Sequence, residues 1–312
     1  MSLYNSANSQ EETVKASPSG RLEGLTKKYL SLIKFSHTIF AMPFAFIGFF
    51  LGIKQHSTFS VERYTVLFIL VILCMVFARS AAMAFNRYLD RAFDEKNPRT
   101  AIREIPAGLL KANSVLLFTI INCVLFIACT FFINRICFYL SPVALAVILG
   151  YSYTKRFTPL CHLVLGLGLS LAPIGAYLAV TGRFDVLPVL FSFAVIFWVS
   201  GFDIIYSLQD EEFDKSEGLY SMPTALGKSR ALRVSEILHL LSAGSVIAAG
   251  FLGNFGWLYW TGVAVFCGML VYQHNLVKPN DLRRVNLAFM TANGIASVVF
   301  AVFVIGDLLT TM

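Results

Sequence analysis

The sequence predicts an all-α integral membrane protein of about nine transmembrane helices. Three observations carry this. Of the 312 residues, 57% are hydrophobic, only 14% are charged and 29 are Phe, a composition rare among soluble domains of this size. Apolar runs long enough to cross a hydrocarbon core, about 17 to 25 residues as helix, recur along nearly the whole chain. The basic residues alternate between the connections, as the positive-inside rule requires of a multi-pass protein.

The first 25 residues are polar, include Lys15-Ala-Ser-Pro-Ser-Gly20 and hold no apolar stretch of the kind a signal peptide needs. They read as a disordered cytoplasmic tail ahead of a single membrane domain over 26–312. Within that domain the apolar runs fall at 35–53, 64–89, 114–133, 136–153, 161–181, 187–208, 235–253, 256–274 and 286–307. The connections after the first, third, fifth and seventh runs hold only Lys54, Arg63, Arg135 and Arg183. The tail and the remaining connections hold nineteen of the 25 Lys and Arg. This asymmetry predicts a cytoplasmic N-terminus and an external C-terminus, and the protein is expected in the cell (inner) membrane with its active site toward the cytoplasm. It also accounts for the net charge of +7 without a nucleic-acid partner. The six cysteines lie in or beside apolar runs without metal-ligand spacing and read as small core hydrophobes.

An internal repeat is visible in the same map. Asn86-Arg-Tyr-Leu-Asp90-Arg-Ala-Phe-Asp94 aligns with Tyr206-Ser-Leu-Gln-Asp210-Glu-Glu-Phe-Asp214 at an offset of 120 residues. Both segments end an even-numbered helix, which suggests two four-helix repeats plus one final helix. Residues four apart on a helix stand one above the other, about 5–6 Å apart at Cβ. Asn86, Asp90 and Asp94 therefore form one polar stripe, and Tyr206, Asp210 and Asp214 a second, which Asp203 extends toward the membrane interior. A carboxylate moved to the bilayer centre costs about 2.5–3.5 kcal/mol, and five clustered carboxylates also repel one another. Such a cluster calls for cations, and hard oxygen ligands suit Mg²⁺ better than Zn²⁺. Solvated loop acids are the plainer alternative. The repeated spacing argues against it, as do four cations on the same side: Arg99, Arg103, Lys155 and Arg156. With a diphosphate and two Mg²⁺ the charges come close to balance.

Together, Asn86-x₃-Asp90-x₃-Asp94, Asn97-Pro-Arg99-Thr, Tyr151-x₃-Lys155-Arg156 and Asp203-x₂-Tyr206-x₂-Gln209-Asp210-x₃-Asp214 resemble the UbiA family of intramembrane aromatic prenyltransferases. The opening Ile33-Lys-Phe-Ser-His-Thr-Ile-Phe-Ala-Met-Pro43 is similar to its 4-hydroxybenzoate polyprenyltransferase-like branch, active in quinone biosynthesis. The resemblance implies Mg²⁺ held by Asp90, Asp94, Asp210 and Asp214 with Asn86 assisting, and a polyprenyl diphosphate clamped by Arg99, Arg103, Lys155 and Arg156. It implies an allylic cation attacked by an aromatic acid inside an apolar chamber open to the lipid bilayer, with Tyr153 and Tyr206 as aromatic faces for the cation. Arg79 stands eleven residues before Asp90, on the same stripe and about 16 Å deeper. It is the candidate for the acceptor's carboxylate, or else an ion-pair partner of Asp203 on the acceptor side. His37 and His162 receive no role, and Gly166-Leu-Gly168 reads as helix packing with Pro173 and Gly175. A terpene cyclase of the same fold, or transfer to another lipid-soluble acceptor, stays open. A cation-coupled transporter would place its acids at the bilayer midplane, whereas these fall at helix ends.

Overall fold

The computed structural model of the protein describes residues 24, 27–33, 42–56 and 60–311. The proposed tail, apart from Gly24, and most of the opening motif, including His37, lie outside the described residues. The described residues are helical throughout apart from short connections and one isolated bridge, Lys278 with Asp281. Nine long helical rods are present among them. They are α1 (Met42–Gln55), α2 (Val61–Lys96), α3 (Ala112–Ile133), α4 (Arg135–Thr154), α5 (Cys161–Thr181), α6 (Val186–Ser207), α7 (Lys228–Leu252), α8 (Trp257–Leu276) and α9 (Asn293–Thr310). The last follows a turn of π-helix at Ala288–Ala292. Seven of these rods are long and apolar enough to cross a membrane, while α1 is shorter and α8 ends in the polar Gln273 and His274.

The rods close into a ring. α1 packs against α5 and α9, α6 against α5 and α7, α8 against α7 and α9, and α2, α3 and α4 against one another. Aromatic side chains fill the centre. Phe44 of α1, Phe191 and Trp198 of α6, Phe266 of α8 and Phe300 of α9 are fully buried, with Phe44 5.3 Å from Trp198 and Phe266 5.2 Å from Phe300. Offset and tilted ring contacts of this kind add to the burial term. Close approach of α1 to α5 depends on Gly48. A Cβ there would lie 2.0 Å from the carbonyl oxygen of Pro173, a backbone atom that cannot step aside. Gly166 likewise meets Ile196 O and Ser200 of α6, as expected, whereas Gly175 has open space.

The connections sort to two ends. At one, Lys96 pairs with Glu217 at 2.6 Å and the Tyr220 amide donates to the Lys155 carbonyl at 2.7 Å. Residues 27–32 are helical at this same end, and Leu32 is buried with Leu110 and Val115 while Ser31 Oγ donates to Glu104 at 2.6 Å. At the other end Lys54 reaches Thr311 and Arg63 reaches the Ile133 carbonyl. The acidic segments and their cations all lie at the first end.

Candidate active site

The first acidic segment closes a continuous α2 of 36 residues. Asn97 caps it in extended backbone, as a residue before proline must be, and Pro98 cannot continue the helix. The Asn97 side chain accepts the Arg99 amide at 2.9 Å and Thr100 Oγ1 donates to the Asp94 carbonyl at 3.1 Å, folding the chain back so that Arg99 and Arg103 return over the helix end. The second segment differs from the expected single stripe. α6 ends at Ser207, a 3₁₀ turn runs over Leu208–Asp210, and a fresh α-turn covers Glu211–Ser216. Gly218 then takes a left-handed φ of +68°, which lets the Leu219 amide reach the Asp214 carbonyl at 2.8 Å.

Each of the four acids meets one of the four expected cations. Arg99 grips Asp210 with two parallel bonds, Nε to Oδ1 at 3.0 Å and an Nη to Oδ2 at 2.6 Å, and its other Nη donates to Tyr206 Oη at 3.2 Å. Arg103 donates to Asp94 Oδ1 at 2.6 Å, and Arg156 to Asp90 Oδ1 at 2.9 Å. Asn86 Nδ2 donates to the second oxygen of Asp90 at 2.9 Å. The Lys155 ammonium lies 2.7 Å from Asp214 Oδ1. Burial works to discharge Lys155 and Arg99, but the carboxylates of Asp214 and Asp210 outweigh it and hold both above their ordinary ranges.

These side chains enclose a cavity of about 230 Å³. Asn86, Asp90, Asp94, Arg99, Arg103, Lys155, Arg156, Asp203, Tyr206, Asp210 and Asp214 all line it, so eleven of the residues singled out in the sequence converge. Two do not. Tyr153 is 46% exposed and packs beside Phe85 and the Arg156 guanidinium, away from the cavity. Residues two apart on a helix point about 200° apart, and Tyr151, one turn before Lys155, is the tyrosine that faces in. Arg79 lies deeper, in the neighbourhood of Tyr151, with its Nε buried and without a hydrogen-bond partner. It has no ion pair with Asp203, whose Oδ2 is instead 2.6 Å from His162 Nδ1. His162, given no role from sequence, lines the cavity as well. The available signal was its place seven residues after Lys155, a polar side chain opening an apolar helix.

The donor set suits a hard divalent cation. Asp94 Oδ2 and Asp214 Oδ2 are buried carboxylate oxygens without a hydrogen-bond partner, a costly arrangement that a cation would relieve. Among the described residues no three His, Cys, Asp or Glu side chains converge tightly enough to enclose an ion by themselves. Mg²⁺ typically takes one or two carboxylates and completes its shell with phosphate oxygens and water, so two acids per segment facing four cations is a fitting arrangement.

Fold and site together define a polytopic helical membrane protein with a cavity that gathers carboxylates and cations at one end of the bundle. Residues 41–295 match the profile of the UbiA prenyltransferase family, and the chain belongs to that family. It is 31% identical over 229 residues to a 4-hydroxybenzoate octaprenyltransferase of Tolumonas auensis, covering 72% of this chain and 78% of that one. With the enzyme of the same name from Nitrosospira multiformis the identity is 30% over 242 residues, 77% of this chain and 82% of the relative. Among solved structures, a UbiA homologue from Aeropyrum pernix K1 superimposes with a TM-score of 0.74 at 28% identity, over 88% of this chain and 98% of that one. A UbiA homologue from Archaeoglobus fulgidus bound to DMAPP and Mg²⁺ shares the fold at 21% identity, with a TM-score of 0.72 over 91% of this chain and all of that one.

Proposed function

We propose that this protein transfers an isoprenyl group from a polyprenyl diphosphate to the ring of an aromatic acid, 4-hydroxybenzoate-like or naphthoate-like, in quinone biosynthesis, with Mg²⁺ as cofactor. The observation that carries this reading is the convergence of four carboxylates and four cations on one cavity, in a family whose curated relatives are octaprenyltransferases. Asp90, Asp94, Asp210 and Asp214, with Asn86, would hold the metal. When bound there, Mg²⁺ supplies positive charge against the negative charge that develops on the departing diphosphate. Arg99, Arg103, Lys155 and Arg156 orient the diphosphate and receive its charge as the allylic C–O bond breaks. Tyr206, and Tyr151 in place of Tyr153, offer aromatic faces to the allylic cation. Arg79 takes the acceptor's carboxylate and Asp203 faces its hydroxyl, so the ring lies above the breaking bond. Leu165 and Phe213 in the cavity wall help exclude water that would quench the cation.

The same reading places nine spans in the inner membrane as two four-helix repeats plus one, with the N-terminus and the active site on the cytoplasmic side. The gathering of basic connections at the site end supports this orientation. The decisive experiment supplies purified protein with geranyl diphosphate, Mg²⁺ and a panel of aromatic acids, and identifies products by mass spectrometry. A prenylated hydroxy acid is the expected product, lost on chelation with EDTA and restored by Mg²⁺. Diphosphate release with a cyclised hydrocarbon and no dependence on any acceptor would overturn the assignment.

A further inference from the structure

His162 is the second residue of α5 and is buried, with 2% of its surface exposed. Both of its ring nitrogens are engaged. The backbone amide of Met222 lies 3.2 Å from Nε2, and Asp203 Oδ2 lies 2.6 Å from Nδ1. An amide N–H can only donate, so Nε2 presents its lone pair to Met222 and the ring proton sits on Nδ1, aimed at Asp203. The frame around the ring is equally fixed. Ser221 and Thr224 form a reciprocal cap that holds the Met222 amide in place, and Ser200 Oγ, three residues before Asp203, donates to the His162 carbonyl at 3.1 Å. The imidazole thus bridges a capped loop to one carboxylate oxygen of Asp203, and both residues line the cavity beside Tyr151.

We propose that His162 is the positioning residue for the acceptor half of the reaction: its Nδ1–H fixes Asp203 so that the carboxylate meets the hydroxyl of the aromatic acceptor. This rests on the prenyl-transfer reading above. As the ring carbon gives its electron pair to C1 of the prenyl group and the C1–O pair leaves with the diphosphate, the acceptor's hydroxyl proton moves to Asp203. That proton returns to the oxygen when the ring C–H proton is lost to the diphosphate and aromaticity is regained. His162 touches neither substrate. It turns the carboxylate toward the hydroxyl and stabilises its ionised form through a charge-assisted hydrogen bond.

Two substitutions separate this role from packing, because an asparagine amide overlays Nδ1 of histidine and a glutamine amide overlays Nε2. His162→Asn keeps a donor to Asp203 and loses the Met222 contact, whereas His162→Gln does the reverse. The expected result is a fall of about tenfold or more in kcat/KM for the aromatic acid with His162→Gln, and of no more than about threefold with His162→Asn. The KM for geranyl diphosphate stays within about twofold in both, and the Gln variant diverts more of the released prenyl group to its alcohol. Adding His162→Gln to Asp203→Asn lowers the rate no further. The inference is overturned if the order of the two variants reverses, if donor and acceptor kinetics fall together, or if the effects of the Asp203 and His162 substitutions multiply. Failure of the wild-type protein to prenylate any hydroxy acid would instead overturn the underlying reading.

Discussion

Arg99 joins the two acidic segments through a fork, not merely a charge. Its guanidinium binds both oxygens of Asp210 and also Tyr206, so two side chains of the second segment are set by one arginine that follows the first. A lysine carries the charge but lacks the planar fork. Arg99→Lys is expected to raise the KM for the prenyl donor by about tenfold and leave that of the acceptor nearly unchanged. Steady-state kinetics with each substrate varied in turn checks this, and a selective effect on the acceptor would refute the assignment. Lys155→Ala should behave in the same direction, more severely, since it leaves the fully buried Asp214 without its cation. In the proposed reaction Arg79 serves the acceptor side. Its buried, unpartnered Nε and its place in the neighbourhood of Tyr151 fit a carboxylate ligand. Arg79→Gln should raise the acceptor's KM strongly with the donor's unchanged. Normal acceptor kinetics in that variant, or equal use of decarboxylated phenols, would exclude the carboxylate role.

Helices were the most legible level of this molecule, and their ends the least. Every predicted run from 64–89 onward corresponds to a rod, because length and apolarity are local properties of the chain. The four-residue spacing of Asn86, Asp90 and Asp94 was sufficient for the first site stripe, since α2 is uninterrupted. At the second segment the spacing alone is not enough, because α6 gives way to a 3₁₀ turn at Leu208–Asp210, where Arg99 and Asn97 reach the Asp210 carboxylate from across the bundle. Tyr153 was preferred from sequence, although the Tyr151-to-Lys155 spacing already indicated which tyrosine shares a face with the site. The role of His162 depends on a loop sixty residues away, which no local pattern displays. Asp307 is a similar case. It lies at the far end of α9, 2% exposed, and its carboxylate accepts the amides of Gly256 at 2.9 Å and Tyr259 at 3.3 Å, capping the start of α8 from a distance. Asp307→Ala should therefore cost about 1–3 kcal/mol, read as a lower thermal midpoint in detergent, because buried amides lose their acceptor. Asp307→Asn, which retains one acceptor oxygen, should lose less. A midpoint unchanged by the Ala variant would show that the cap contributes nothing.

Taken as a whole, the molecule is two sets of helices drawn together at the site end by charge. Arg99 to Asp210 and Lys155 to Asp214 cross from the first half of the chain to the second, while Arg103 to Asp94 and Arg156 to Asp90 stay within the first. Counting Asp203, five carboxylates face four cations, so the cavity is near neutrality. Metal alone would then add positive charge beside Arg99, Arg103, Lys155 and Arg156, and a diphosphate alone would add negative charge beside the aspartates. Each is opposed by like charge at the cavity wall. Offered together they preserve the balance, the metal facing the carboxylates and the diphosphate the cations. Binding to the folded state at a hundred times Kd stabilises by about 2.7 kcal/mol, enough to move a thermal midpoint measurably. The expected outcome is that Mg²⁺ with a geranyl thiolodiphosphate, a donor analogue that resists ionisation, raises the midpoint of the purified protein by more than the two separate shifts combined. Asp210→Ala should remove most of this excess, because it takes a carboxylate from the metal and leaves Arg99 without the partner that aligns it. Shifts that simply add, or a full shift from the diphosphate analogue without metal, would mean that the two ligands do not share this site.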